Sequence, residues 1–246
     1  MMSTIDVLSV PICNVTRAEA CDFVYKCVDE GRAVSIATAN AEMVMLAQKD
    51  RELHQYLLQA DLVVPDGAGV LWAAEQQGRR FKERVTGVDL ACSLLQEAAA
   101  RQTAVYLFGG AEGVAAKAAE NLQQQMGTLN IVGTHSGFFS AEEEPQIIEQ
   151  IRSGGTQILL VALGVPKQEK WIRDHLYELG PCACMGVGGT LDVLSGNVCR
   201  APKWMQEHRL EWLYRLLKEP TRLKRMMALP KFVAAVKWGN RQNDLR

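Results

Sequence analysis

The sequence predicts an α/β fold: a Rossmann-like, mostly parallel sheet with helices on both faces, extended by a helical C-terminal appendage. Three observations carry that expectation. Short apolar runs rich in Val, Ile and Leu alternate with longer amphipathic stretches, the order from which parallel sheets are built. Glycines and polar residues gather directly after the apolar runs. Charge is divided along the chain: residues 197–246 hold twelve Lys or Arg against four Asp or Glu, a net of +8, and residues 1–196 carry the balancing −9.

Taken in order, "IDVLSV", "AVSIAT", "DLVVP", "AVYLF", "NIVG", "QILLVAL" and "CACMGV" read as strands. Thr16 with Glu19, and Ser140 with Glu143, have capping-box spacing and mark two helix starts. In the tail, Leu210, Leu213, Tyr214 and Leu217 follow the i, i+3, i+4, i+7 rule, and Trp212 and Leu216 widen the apolar arc. Pro220 and Pro230 are expected to begin new helices. The charge break divides the chain into a core over residues 1–196 and a basic amphipathic appendage over 197–246.

Composition narrows the function classes. With 246 residues, 48% hydrophobic and 22% charged, the chain can bury a full core, which excludes fibrous, collagen-like and disordered classes. Seven scattered cysteines, with no C-x-x-C pair and no signal peptide ahead of them, read as reduced thiols of a cytosolic protein. Cys182 and Cys184 would share one strand face as small buried hydrophobes. The four histidines show no ligand spacing, so no metal is expected. No apolar run reaches the ~20 residues needed to span a bilayer. Arg215, Lys218, Arg222, Lys224 and Arg225, interleaved with Leu, Trp212 and Trp238, fit an element lying on an anionic membrane surface. Nucleic-acid phosphates, or simple packing on the core, are the alternatives. An exposed apolar tail would also favour homo-oligomers away from the membrane.

In parallel sheets, ligands bind beyond the carboxyl ends of the strands. Four ends and a fifth glycine-rich segment are therefore candidates. "FGGAEG", with Gly109, Gly110 and Gly113, and "GVGGT", with Gly188 and Gly189, offer backbone N–H groups to a diphosphate or simply make tight turns. Asp66 in "VVPDGAG" is a general base for an attacking hydroxyl or a helix cap. Thr38 and Asn40 either position a sugar or cap the next helix. Arg84 either neutralises a phosphate or is a surface residue. Gln168 is a sugar or base reader or an exposed first-turn residue, and Asp192 a ribose or uracil ligand or a cap.

Together, "TANAEMVMLAQKD", "VVPDGAGV", "ERVTGVDL", "VALGVPKQEKW", "MGVGGTLDVLSGNVCRAPKW" and "LEWLYRLLKEPTRLKR" resemble, in order and over nearly the whole chain, the bacterial WecG/TagA/CpsF glycosyltransferases (glycosyltransferase family 26), and within them the TagA branch. The resemblance implies a Rossmann-like core of GT-E type and an inverting, metal-independent transfer without a cofactor. N-acetylmannosamine would pass from UDP-ManNAc to the 4-hydroxyl of GlcNAc on a polyprenyl diphosphate, in wall teichoic acid synthesis, at the inner face of the cell membrane. It implies Asp66 as catalytic base and Thr38, Asn40, Arg84 and Gln168 as pocket residues. Gly188, Gly189 and Asp192 would face the nucleotide, with Gly109 and Gly110 as further candidates, and Arg215, Arg222 and Arg225 would serve the diphosphate. Members using UDP-ManNAcA share many of these positions, so the donor stays open. An NAD-dependent oxidoreductase is the first rival, weakened by the missing dinucleotide fingerprint; a nucleic-acid module using the tail is the second.

Overall fold

A computed structural model describes residues 2–208, 210–218 and 227–243. Its centre is one six-stranded sheet in which every pairing is parallel: β3 (Val34–Ala39), β4 (Leu62–Pro65), β5 (Val105–Gly109), β6 (Ile131–His135), β7 (Ile158–Ala162) and β8 (Ala183–Gly186), in the order β4-β3-β8-β7-β5-β6. The chain runs outward from β3 to β4, crosses to β5, and returns through β7 to place β8 beside β3. That reversal creates a topological switch point between the first and last parallel strands.

Alternation of side chains sends each central strand into two apolar layers. Val34 and Ile36 face one layer and Ala37 and Ala39 the other; Leu62 and Val64 oppose Val63; Leu160 opposes Leu159 and Val161. Burial on both sides explains why these strands read as continuous apolar runs. One layer is filled by α1 (Arg17–Asp29), α5 (Gly87–Arg101), α6 (Val114–Met126) and α9 (Thr190–Leu194). The other holds α2 (Ala41–Ala47), α3 (Arg51–Gln59), α4 (Ala68–Gln76), α7 (Glu144–Ser153), α8 (Lys167–His175) and the last helix, α12 (Ala228–Asn243). Among the described residues, α10 (Lys203–Glu207) and α11 (Glu211–Lys218) lie between α9 and α12 in the chain.

The capping spacings form as expected at Thr16, whose hydroxyl accepts from Glu19 N–H (3.2 Å) while Glu19 accepts from Thr16 N–H (2.8 Å). Ser140 and Glu143 make the same reciprocal pair (2.7 and 3.3 Å), around a turn that leads into α7. "IDVLSV" is corrected: it is not one strand. Leu8 and Ser9, both at positive φ, turn the chain between β1 (Thr4–Val7) and β2 (Val10–Cys13), an antiparallel hairpin separate from the main sheet. Pairing of Ile5 with Ile12 and of Val7 with Val10 keeps all four apolar side chains on one buried face, which a straight strand cannot do. Gln48, Gln77 and Arg79 donate to the hairpin's carbonyls and hold it against the helices.

Cys182 and Cys184 are buried in the same layer as free thiols. The C-terminal helices are two-natured. Phe232 and Val236 of α12 lie within the core, against α2 and α4, where Gly69 approaches Ala41 too closely to admit a methyl group. Leu217, Trp212, Val233 and Trp238 are exposed. Pro230 sits in the first turn of α12, where a missing N–H costs nothing. Among the described residues no helix is long and apolar enough to cross a membrane.

One acid is sunk in the core. Glu169 is fully buried; its Oε1 accepts from Gln168 Nε2 (2.7 Å), and its Oε2 finds no hydrogen-bond partner among the described residues. Burial, opposed by the Gln168 hydrogen bond, pushes its carboxyl from the ordinary 4.5 up to about 7. An acid with a raised pKa keeps its proton in the fold over a range where the unfolded chain has released it. Stability contributed by this group therefore falls as pH rises from 4.5 through 7 and is lost above. Glu169→Gln should raise the unfolding free energy at pH 8 by up to ~3 kcal/mol and change it little at pH 4.5, as read from denaturant titrations at both pH values. Gly109, at φ +121, would place a Cβ 2.4 Å from the Ala162 carbonyl oxygen across the β5–β7 pairing. Gly109→Ala should cost ~3 kcal/mol or more, measured as a shift in the urea midpoint with unchanged slope.

Candidate active site

Beyond the carboxyl ends of β3, β4 and β8 lies a cavity of about 230 Å³. It stands at the switch point, where the parallel-sheet rule places a ligand. The sheet supplies one wall through Asn40, Asp66 and Gly189; Thr86, Gly87 and Val88 at the start of α5 supply a second; Glu211 and Trp212 of α11 with Ala228 and Leu229 of α12 close the third.

Asp66 is held at the lip by its backbone, whose N–H donates to Ala39 O (2.8 Å), extending the β3–β4 pairing by one residue. Gly67, at φ +95, takes the N-cap position of α4. Only glycine adopts that conformation without strain, and it leaves the approach to Asp66 open. Asn40 does cap α2, its Oδ1 accepting from Met43 N–H (3.0 Å), and it lines the cavity at the same time. Thr38 is buried beneath the floor, beside Gly87.

Gln168 is neither exposed nor on the cavity wall. It is buried, and its Oε1 accepts from Gly164 N–H (3.2 Å) and Gly188 N–H (3.0 Å), so that one amide ties the loops after β7 and β8 together. Gly186 is required to be small because a Cβ there would meet Gln168 Nε2 at 2.7 Å. The Gly188 N–H is thus spent within the fold, while Val187, Gly189 and Thr190 of the same segment line the cavity, Gly189 at the head of α9. Asp192 lies in the first turn of α9, where its carbonyl accepts from Ser195 and Val198.

Gly109 and Gly110 end β5, two strands away from β8. Gly110 N–H donates to Ala162 O (2.9 Å) and Gly110 O accepts from Gly137 (2.8 Å). Their loop opens through Gly113 onto a separate cleft of about 330 Å³ lined by His135 and Phe138. The two glycine loops therefore share a rim and not a cavity.

Arg84 reaches from the core to the C-terminal helices. Its Nη1 donates to Gln206 O (3.1 Å) and its Nη2 to Glu211 Oε2 (2.5 Å). Behind it, Arg200 grips Asp89 with both terminal nitrogens (2.6 and 2.8 Å). Burial alone would raise the Asp89 carboxyl, but the bonds from Arg200 and Thr86 outweigh it and hold it below the ordinary value. Arg215 lies on α11, and Arg222 and Arg225 fall outside the described residues. Among the described residues no group of His, Cys, Asp and Glu side chains is arranged to hold a metal ion.

Sequence reasoning missed Thr86, Asp89, Arg200 and Glu211. The first two were signalled: Thr86 and Asp89 have the spacing of a capping pair, and the Thr86 hydroxyl does accept from Asp89 N–H (3.1 Å). Nothing in the sequence pairs Arg200 or Glu211 with partners more than a hundred residues away.

Comparison with known proteins agrees with this architecture. The Glycosyl transferase WecG/TagA/CpsF family matches residues 5–244. An N-acetylglucosaminyldiphosphoundecaprenol N-acetyl-beta-D-mannosaminyltransferase of Bacillus spizizenii (strain ATCC 23059 / NRRL B-14472 / W23) is 34% identical over 209 residues, covering 85% of this chain and 80% of the relative. A protein of the same description from Bacillus subtilis (strain 168) is 31% identical over 236 residues, covering 96% and 91%. With a family match across almost its whole length, this chain belongs to the WecG/TagA/CpsF family of glycosyl transferases.

Proposed function

We propose that this enzyme transfers N-acetylmannosamine from UDP-ManNAc to the 4-hydroxyl of the GlcNAc unit on a polyprenyl diphosphate, with inversion and without a metal. The observation that carries the reading is Asp66, a carboxylate on the wall of a cavity at the switch point of the sheet that the C-terminal helices also line. The acceptor agrees with the activity named for the two Bacillus relatives.

In this mechanism Asp66 takes the proton of the acceptor hydroxyl as its oxygen attacks the anomeric carbon. The new C–O bond forms on the face opposite the nucleotide, the bond to the diphosphate breaks, and UDP leaves with the electron pair. Asn40 and Thr38 shape the floor, and Gly189 with Asp192 serves the nucleotide side. Arg215, Arg222 and Arg225 are proposed to stabilise the leaving diphosphate in place of a metal. Exposed Trp212, Leu217 and Trp238, set among basic residues, support peripheral attachment to the inner face of the cell membrane, where a polyprenyl substrate would be met.

A UDP-release assay with a GlcNAc-diphospholipid acceptor tests the reading, run with UDP-ManNAc, UDP-ManNAcA and UDP-GlcNAc in turn and with EDTA throughout. Release that requires both acceptor and UDP-ManNAc is the expected result. Release with UDP-ManNAcA alone would keep the chemistry and reassign the donor, and loss of release in EDTA would overturn metal independence. Asp66→Asn should lower kcat by ~10²–10⁴-fold while UDP binding by calorimetry stays within a factor of a few; a variant that turns over normally removes Asp66 from the mechanism.

A further inference from the structure

Four charged side chains form a series of ion pairs that leaves the core at Asp89, reaches α11 at Glu211 and returns to the core at Arg84; its middle link, Arg200 to Glu211, is an ion pair without a hydrogen bond. Asp89, at the start of α5, is gripped by Arg200 through two parallel hydrogen bonds, a geometry peculiar to the guanidinium fork. Arg200 Nε lies 3.8 Å from Glu211 Oε1, and Glu211 Oε2 accepts from Arg84 Nη2 at 2.5 Å. The Thr86 hydroxyl locks the first member by donating to Asp89 Oδ2 (2.6 Å). Glu211 and Arg84 are almost withdrawn from water, with side chains 11% and 17% exposed, so their pairing is screened far less than a surface ion pair.

The position of this line matters more than its strength. Glu211 is the first residue of α11, and it lines the cavity that holds Asp66, together with its neighbour Trp212 and with Ala228 and Leu229 of α12. Arg84 also donates to the carbonyl of Gln206, at the end of α10, so both helices leading to that wall are fastened to the same core arginine. Between α10 and α12 no described apolar side chain is fully buried: Leu210, Leu213, Tyr214 and Leu216 are half-buried, and Trp212, Leu217 and Met227 are 42%, 70% and 54% exposed. None of them belongs to either core layer, so α11 is held in part by polar contacts.

From this we infer that the chain Asp89–Arg200–Glu211–Arg84 is a clasp that sets the closed position of α11 over the cavity, with Arg200 as a positioning residue. Arg200 is not part of the cavity wall around Asp66; it acts through Glu211. The proposal deepens the glycosyl-transfer reading by naming what assembles its third wall, and its kinetic arm rests on that reading. A ligand that touches both walls binds the closed state, so loosening the clasp lowers the competent fraction and raises the apparent dissociation constant in proportion, while saturating ligand restores closure. A residue that only supports stability would instead lower kcat through lost active enzyme and leave KM alone.

The test compares the full chain with Arg200→Met, Arg200→Lys, Glu211→Gln and the Arg200→Met/Glu211→Gln double variant. Hydrogen exchange of the 211–218 amides, which needs no substrate, should quicken ~10-fold in Arg200→Met, with the amides of β3, β7 and β8 unaffected, and Arg200→Lys should recover only part of the protection. In the transfer assay Arg200→Met should raise the KM for the lipid acceptor ~10-fold with kcat within about twofold, and the double variant should show no more than the larger single effect. Unchanged exchange in 211–218 for both Arg200→Met and Glu211→Gln overturns the clasp, as does additive behaviour of the pair. Should wild type transfer no sugar from any donor, the glycosyl-transfer reading fails alone, and the exchange arm still decides the clasp. Should Arg200→Met not fold, Glu211→Gln carries the exchange readout, which alone decides the clasp.

Discussion

Two-sided burial of the sheet is the constraint from which the rest follows. Side chains of β3, β4, β5, β7 and β8 alternate between two apolar layers, and a polar group placed within either would have to be paired or neutralised. Chemistry is thereby pushed to the strand ends, where the backbone leaves the sheet and loops can carry polar residues. Glu169 illustrates the cost inside the layers: it is tolerated with one hydrogen bond and a carboxyl that prefers its proton.

The same close packing makes the loops at the rim rigid. Gln168 spends its amide oxygen on the N–H groups of Gly164 and Gly188, binding the ends of β7 and β8 into one piece. Gly186 exists as glycine because Gln168 lies against it, and Gly109 because the Ala162 carbonyl does. Through Gly188, Gln168 steadies the segment that carries Gly189 to the cavity. A glycine beside a strand end is thus as often a record of what packs on it as of what binds there, and Gly110 and Gly188 both show it through the partners of their amides.

The C-terminal segment is divided between core and surface. Phe232 and Val236 complete the layer over α2 and α4, while Trp238 and Leu217 face outward. The charge break at residue 197 does not coincide with the packing, since Phe232 and Val236 beyond it belong to a core layer. In between, where apolar burial is thin, ion pairs from Arg84 and Arg200 connect the helices to α5 and to the loop before it.

Sequence by itself determined the parallel sheet, its two covered faces, the burial of Cys182 and Cys184, the helix start at Thr16 and the placement of Asn40, Asp66 and Gly189 beyond strand ends. Each of these follows from local pattern: apolar runs, capping spacing, and glycine or acid directly after a strand. Tertiary structure decided the hairpin at Leu8–Ser9, the inward turn of Gln168, the separation of the two glycine loops, and the pairing of Arg84 and Arg200 with Glu211. Those depend on strand order and on contacts between residues as far apart as 84 and 211. Local propensity carries no record of which distant partner will complete a hydrogen bond or a charge, because that choice is made only when the layers close.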